Sequence, residues 1–131
     1  MTGHLLDANV LIALTVAEHE HHDRCSEWLA GVEDVALCPI TEGALLRFLL
    51  RMGESITTGL AVLRGVREHP RCHWLADSVS CTEVDLGHVR GHRQVTDAYL
   101  VGLAVANGLT LATLDSGLAG QFPGECVLIA A

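Results

Sequence analysis

Four carboxylates in this sequence stand where an apolar run meets a turn or the start of a new element. Asp7 follows His4-Leu5-Leu6, Glu42 closes Pro39-Ile40-Thr41-Glu42, Asp97 closes Val95-Thr96-Asp97, and Asp115 follows Leu111-Ala112-Thr113-Leu114. Far apart along the chain, they can act together only if the fold brings them to one place. Ionised carboxylates held within a few ångströms repel and raise one another's pKa. A bound cation removes that conflict, and oxygen donors with no Cys or His beside them select a hard ion, Mg²⁺ or Mn²⁺, over zinc.

The elements that must position these residues follow from the apolar pattern. His4 to Leu6 reads as a short buried strand, and Ala8 to Val16 as a buried helix. A second, amphipathic helix is expected from His19 to about Gly31, then a strand over Val35 to Cys38 closed by Pro39. Thr41 is placed to cap a helix running to Met52, and Ile56 to Val66 forms the next. The resulting hairpin is apolar enough to form a subunit interface or to be buried within one monomer. A third strand is expected at His73 to Ala76 and a short helix at Glu83 to Arg90. Ala98 to Asn107 reads as a helix stopped by Gly108, and strands follow at Leu109 to Thr113 and Cys126 to Ile129.

Strands alternating with helices predict an α/β fold: three layers, with a central parallel sheet of four or five strands flanked by helices. In such sheets the functional crevice lies beyond the carboxyl ends of the strands. All four carboxylates fall at that kind of junction. Thr41-Glu42 and Thr96-Asp97 share a local design, in which the threonine caps a helix and the carboxylate sits at its positive end.

Composition narrows the alternatives. The 131 residues suit a single domain spanning 1–131, and half of them are hydrophobic. All eight basic residues are arginine, so Walker-type nucleotide hydrolysis, Schiff-base catalysis and lysine-dependent phosphotransfer are excluded. Cys25, Cys38, Cys72, Cys81 and Cys126 form an odd set without a C-x-x-C pair, which fits reduced, mostly buried thiols. No run approaches the roughly 18 apolar residues of a membrane span, and Met1-Thr2-Gly3-His4 lacks a charged leader start, so a cytoplasmic protein is expected. The formal charge of −8 opposes general binding to polyanions, so a nucleic-acid substrate must be recruited locally.

Four blocks in order, Leu5-Leu6-Asp7-Ala8-Asn9-Val10-Leu11-Ile12, Pro39-Ile40-Thr41-Glu42, Val95-Thr96-Asp97-Ala98-Tyr99-Leu100 and Leu111-Ala112-Thr113-Leu114-Asp115, resemble the PIN domain. Within that family they resemble the VapC toxins of bacterial type II toxin–antitoxin pairs. The resemblance covers essentially the whole chain. It implies a PIN-like fold and an endoribonuclease whose Asp7, Glu42, Asp97 and Asp115 surround one or two Mg²⁺ or Mn²⁺ ions, with Asn9 and Thr113 in support. It also implies cleavage by activated water leaving a 5′-phosphate, a cognate VapB-type antitoxin as partner, and homodimerisation. Arg47 and Arg51 beyond Glu42, with Arg90 and Arg93 before Asp97, are the candidates for RNA phosphates.

Plainer readings stand beside these. Asp7, Glu42 and Asp97 could serve only as helix-end charges, and Asp115-Ser116-Gly117 could be an ordinary turn. His19, His21 and His22 read as a solvated helix face, and Trp28, Trp74 and Tyr99 as packing residues and not base-stacking platforms. Other functions compatible with the same residues are a catalytically silent PIN-fold binding module and a metal-dependent hydrolase of DNA or small phosphoesters.

Overall fold

The computed structural model describes residues 3–130, so Met1, Thr2 and Ala131, including the leader reading at Met1 and Thr2, lie outside it. Its elements are β1 (Gly3–Leu6), α1 (Ala8–Thr15), α2 (His22–Ala30), β2 (Asp34–Leu37), α3 (Pro39–Arg51), α4 (Ile56–Arg67), β3 (Cys72–Trp74), α5 (Val95–Ala106), β4 (Thr110–Thr113), α6 (Ser116–Gln121) and β5 (Cys126–Leu128). The five strands form one parallel sheet in the order β3-β2-β1-β4-β5. The chain moves outward from β1 through β2 to β3, then returns to lay β4 on the other side of β1. The switch point therefore falls between β1 and β4, where an α/β sheet opens a crevice at the strands' carboxyl ends.

Strand pleating sends successive apolar residues of the central strands to opposite faces of the sheet. Leu5, Ala36 and Leu111 face one core with Leu100 and Leu103 of α5, Leu118 of α6 and Phe122 just beyond it. Their neighbours Leu6, Val35, Leu37 and Ala112 face the other core, with Val10 and Leu11 of α1, Cys25 of α2, and Leu45, Leu49 and Leu63 of α3 and α4. A sheet covered on both faces has no solvent side to require polar alternation. The three expected layers are present.

Gly108 ends α5 as expected. Its φ of +72° lets its N–H reach Val105 O (3.0 Å) while the Leu109 N–H reaches Ala104 O (2.8 Å), the paired bonds of a left-handed helix stop.

Three local expectations are corrected. The helix expected over Glu83 to Arg90 is instead a 3₁₀ turn, Cys81–Glu83, capped by Ser80 and followed by extended chain. Val84 and Leu86 pack on the α5 core at the i, i+2 spacing of extended backbone, and Val84 fills the place a Cβ on Gly102 would need, 2.4 Å away. The threonines do not cap as expected. In α3 the N-cap is Cys38, and the buried Thr41 hydroxyl turns back to that residue's N–H (3.2 Å) and carbonyl (3.1 Å). In α5 the N-cap is Gln94, with no side-chain cap. Helix α6 was not expected at all: Ser116–Gln121 is short and glycine-rich, and is started by Asp115, whose Oδ1 accepts from the Leu118 N–H at 3.1 Å.

Candidate active site

Asp7 begins as a consequence of β1 ending. Its backbone N–H extends the ladder to Ala112 O (2.9 Å), and its side chain caps α1, Oδ1 accepting from the Ala8 N–H at 2.8 Å. Oδ2 accepts from the Thr113 hydroxyl at 2.8 Å, and the same hydroxyl oxygen accepts from the Asp115 N–H at 3.0 Å. Thr113, fully buried at the end of β4, thus ties Asp7 to the backbone of Asp115 across the switch point. Burial pushes the Asp7 carboxyl up, the bonds from Thr113 and Ala8 pull it down, and the Asp115 charge pushes it up again.

Asp97, in the first turn of α5, is different. It is half-buried and makes no hydrogen bond or ion pair among the described residues. Desolvation, followed by the charges of Asp7 and Asp115, pushes its pKa up to about 6. Asp97 and Asp115 line one cavity of about 150 Å³ together with His88, Gln94 and Gln121. Capping accounts for Asp7 and Asp115. Asp97 caps nothing, and its carboxylate stands in the first turn of α5 without a hydrogen bond among the described residues.

Glu42 lies in the first turn of α3, but its carboxylate is engaged elsewhere. Oε1 accepts from the Trp74 indole N–H at 3.2 Å, and Oε2 lies 3.5 Å from Arg67, whose guanidinium stands 5.7 Å from the centre of the Trp74 ring. Trp74 is 45 % exposed and so is not a core residue, whereas Tyr99 is buried with its hydroxyl donating to Val79 O at 2.7 Å. Trp28 is half-buried against His4, the rings 5.2 Å apart. Nothing in sequence spacing pairs Glu42 with Trp74 and Arg67, because β3 and α4 meet α3 only in the fold.

Of the supporting residues, Thr113 contacts two of the aspartates while Asn9 is exposed on the wall of a neighbouring cleft that also contains Asp115. The histidines are nearer than expected: His88 lines the cavity of Asp97, and His19 and His21 line that cleft. His19 and His21 sit at the corner before α2, which starts only at His22, so the helix-face reading of the tract is corrected for those two. Arg47 and Arg93 are exposed. Arg90 is occupied by the carbonyls of Gly87 and Val89.

Among the described residues no three His, Cys, Asp or Glu side chains enclose one point closely enough to hold an ion. The aspartates fit a hard cation in a different way. Mg²⁺ keeps much of its water and takes only one or two carboxylates directly, and Asp97 offers a carboxylate near two other carboxylates with no ion-pair partner among the described residues. The linkage has a definite sign. A carboxyl whose folded pKa is raised binds its proton more tightly folded than unfolded, so stability falls as pH rises from the ordinary value of 3.8 to about 6 and then levels off. Thermal unfolding in chelator should show the metal-free protein losing on the order of 1 kcal/mol over that window, after allowance for solvent screening at the half-exposed group. Mn²⁺ should raise Tm more at pH 7.5 than at pH 5, and a pH-independent effect of Mn²⁺ would rule out these carboxylates as its site.

A family model described as PIN domain matches residues 4–120. The chain is 50% identical over 126 residues to ribonuclease VapC29 of Mycobacterium tuberculosis, covering 95% of each protein. It is 37% identical to ribonuclease VapC38 of the same organism, covering 87% of this chain and 86% of that one. Among solved structures, a toxin-antitoxin complex from Klebsiella pneumoniae contains a chain of similar fold, with a TM-score of 0.68, 18% identity, and coverage of 97% of this chain and 98% of that one.

Proposed function

The chain belongs to the PIN-domain family, and from that premise and the aspartate cluster we propose that it is a divalent-metal-dependent endoribonuclease, the toxin of a VapBC-type pair. The observation that carries the metal-dependent part is Asp97: half-buried, without a hydrogen bond among the described residues, and raised to about 6 by burial and two neighbouring carboxylates. The ribonuclease part is supported by the relatives named ribonuclease VapC29 and VapC38.

Asp97 would hold the ion, Mg²⁺ or Mn²⁺ by the hardness of its oxygens, with Asp7 and Asp115 reaching it through the water such an ion keeps, and Glu42 completing the set once it leaves Trp74 and Arg67. When bound, such an ion supplies water activation and stabilisation of charge on the scissile phosphate. The chain's own residues supply the positioning. Thr113 fixes the rotation of Asp7, Asp115 is held by its cap on Leu118, and the N-terminal turns of α1, α5 and α6 direct their positive ends toward the cluster. No protein nucleophile is required.

A cognate VapB-type antitoxin is the assigned partner, supported by the likeness to a chain of a toxin-antitoxin complex. A homodimer through α3 and α4 is supported by Leu50, Met52 and Ile56, all exposed at the tip of that hairpin. No helix of the described residues is long and apolar enough to cross a membrane.

Incubation with single-stranded RNA and Mg²⁺ should yield fragments with 5′-phosphate and 3′-hydroxyl ends, and chelation should stop the reaction. A 2′,3′-cyclic phosphate product would refute hydrolysis by activated water. The second reading, a silent binding module, draws on the engagement of Glu42 by Arg67 and Trp74; RNA binding without cutting at any Mg²⁺ or Mn²⁺ concentration would establish it. A DNA strand of the same sequence separates ribonuclease from deoxyribonuclease.

A further inference from the structure

Asp115 stands on the wall of two cavities. One contains Asp97, and the other is a cleft of about 490 Å³ lined also by Asn9, His19, Glu20, His21, Phe48 and Arg51. Resting on the ribonuclease reading, we propose that this second cleft is the subsite for an unpaired nucleotide flanking the scissile phosphate, Arg51 binding backbone phosphate and Phe48 with His19 binding the base.

The size is that of a pocket for one small ligand, which admits a single splayed nucleotide and not a paired helix. Sequence-tolerant binding of single strands combines a cation for the backbone with ring faces for the bases, and the cleft has both. Four of the eight arginines are engaged within the chain. Arg24 donates to His21 Nδ1, Arg67 lies against Glu42, Arg71 donates to the carbonyls of Leu29 and Val32, and Arg90 donates to those of Gly87 and Val89. Arg47, Arg51, Arg64 and Arg93 have no hydrogen-bond or ion-pair partner among the described residues, and of these Arg51 is the one that lines this cleft, which it shares with an active-site carboxylate. In a chain of formal charge −8, a free guanidinium at that place is the local recruitment that a polyanion requires.

The histidines sort themselves by their bonds. A guanidinium can only donate, so His21 Nδ1 accepts from Arg24 (2.6 Å), which puts the proton on Nε2, 3.2 Å from Glu20 Oε1. His21 and Glu20 are thereby paired with each other. His19 Nδ1 accepts from the His21 N–H at 3.1 Å, leaving its own Nε2–H to donate to a ligand. The histidine tract thus acquires a role in shaping the cleft.

The test uses the full chain carrying Asp97→Asn, so that RNA is bound and not consumed, with a short fluorescein-labelled single-stranded RNA of mixed sequence read by anisotropy across a salt series. Adding Arg51→Ala should weaken binding about tenfold and make the slope of log affinity on log salt shallower by about 0.7, the signature of one lost single-strand phosphate contact. Phe48→Leu, which keeps the volume of a half-buried position, should weaken it about fivefold or more. Arg64→Ala, an equal change of charge on the exposed face of α4, should leave both quantities unchanged. If Arg51→Ala and Arg64→Ala behave alike while the wild-type protein cuts the same RNA, the subsite is wrong and the ribonuclease reading survives. If the wild type cuts no RNA and the Asp97→Asn parent binds none, both fall together.

Discussion

Asp97→Asn should reduce RNA cleavage at saturating Mg²⁺ by about a hundred- to a thousandfold, the scale on which removal of one preorganised charge-stabilising group is felt, and should at the same time raise the Tm of the metal-free protein at pH 7.5. Each half comes from the same geometry. The carboxylate is desolvated by the base of α5 and repelled by Asp7 and Asp115, so in the absence of a cation its ionisation works against the fold. Asparagine keeps the shape and removes the charge. A residue retained only for stability could not behave this way, because its loss would lower Tm. The measurements are single-turnover cleavage and thermal unfolding with and without chelator. Cleavage within tenfold of wild type, or a lower Tm in chelator, would contradict the assignment of Asp97. Asp7→Asn is a harsher change, since its Oδ2 accepts from Thr113 and an amide nitrogen at that position cannot, so the two variants also separate charge from hydrogen bonding.

How far the sequence revealed this site depends on the range of the interactions involved. Asp7 and Asp115 were readable because each ends an apolar run, a pattern contained within a few residues, although the helix that Asp115 starts was not. The parallel sheet was readable from the alternation of strand and helix. The cap details were not: Thr41 and Thr96 have good capping chemistry, but Pro39 can begin a helix two residues earlier, and the Gln94 turn carries α5 upstream of Thr96. The helix expected over Glu83 to Arg90 does not form: the capping box of Ser80 and Glu83 starts a single 3₁₀ turn that the following residues do not extend. There Val84 and Leu86 gain more by packing extended against α5, which Gly102 permits, than a short isolated helix could offer. The contact of Glu42 with Trp74 and Arg67 joins residues 32 and 25 positions apart, and no local pattern encodes it.

Thr113→Val should cost about 2–3 kcal/mol of stability, equivalent to roughly 10 °C in Tm for a domain of this size, and should weaken both divalent-ion affinity and cleavage by about ten- to a hundredfold. The hydroxyl is fully buried and serves two partners at once: it donates to Asp7 Oδ2 at 2.8 Å and accepts from the Asp115 N–H at 3.0 Å. Valine fills the same space, so no cavity term arises and the loss is that of the hydrogen bonds. Without the donor, the buried Asp7 carboxylate keeps only the Ala8 N–H, its pKa moves further up, and the proton competes more strongly with a cation for the same oxygens. Thr113→Ser retains the hydroxyl and should restore ion affinity and rate to near wild type even if some stability is lost with the methyl group. That contrast makes the test specific, since a merely structural threonine would show Ser and Val ordered by packing and cleavage following only the folded fraction. Equal ion affinity in the Val, Ser and wild-type proteins would show that the link from Thr113 to Asp7 plays no part in holding the metal.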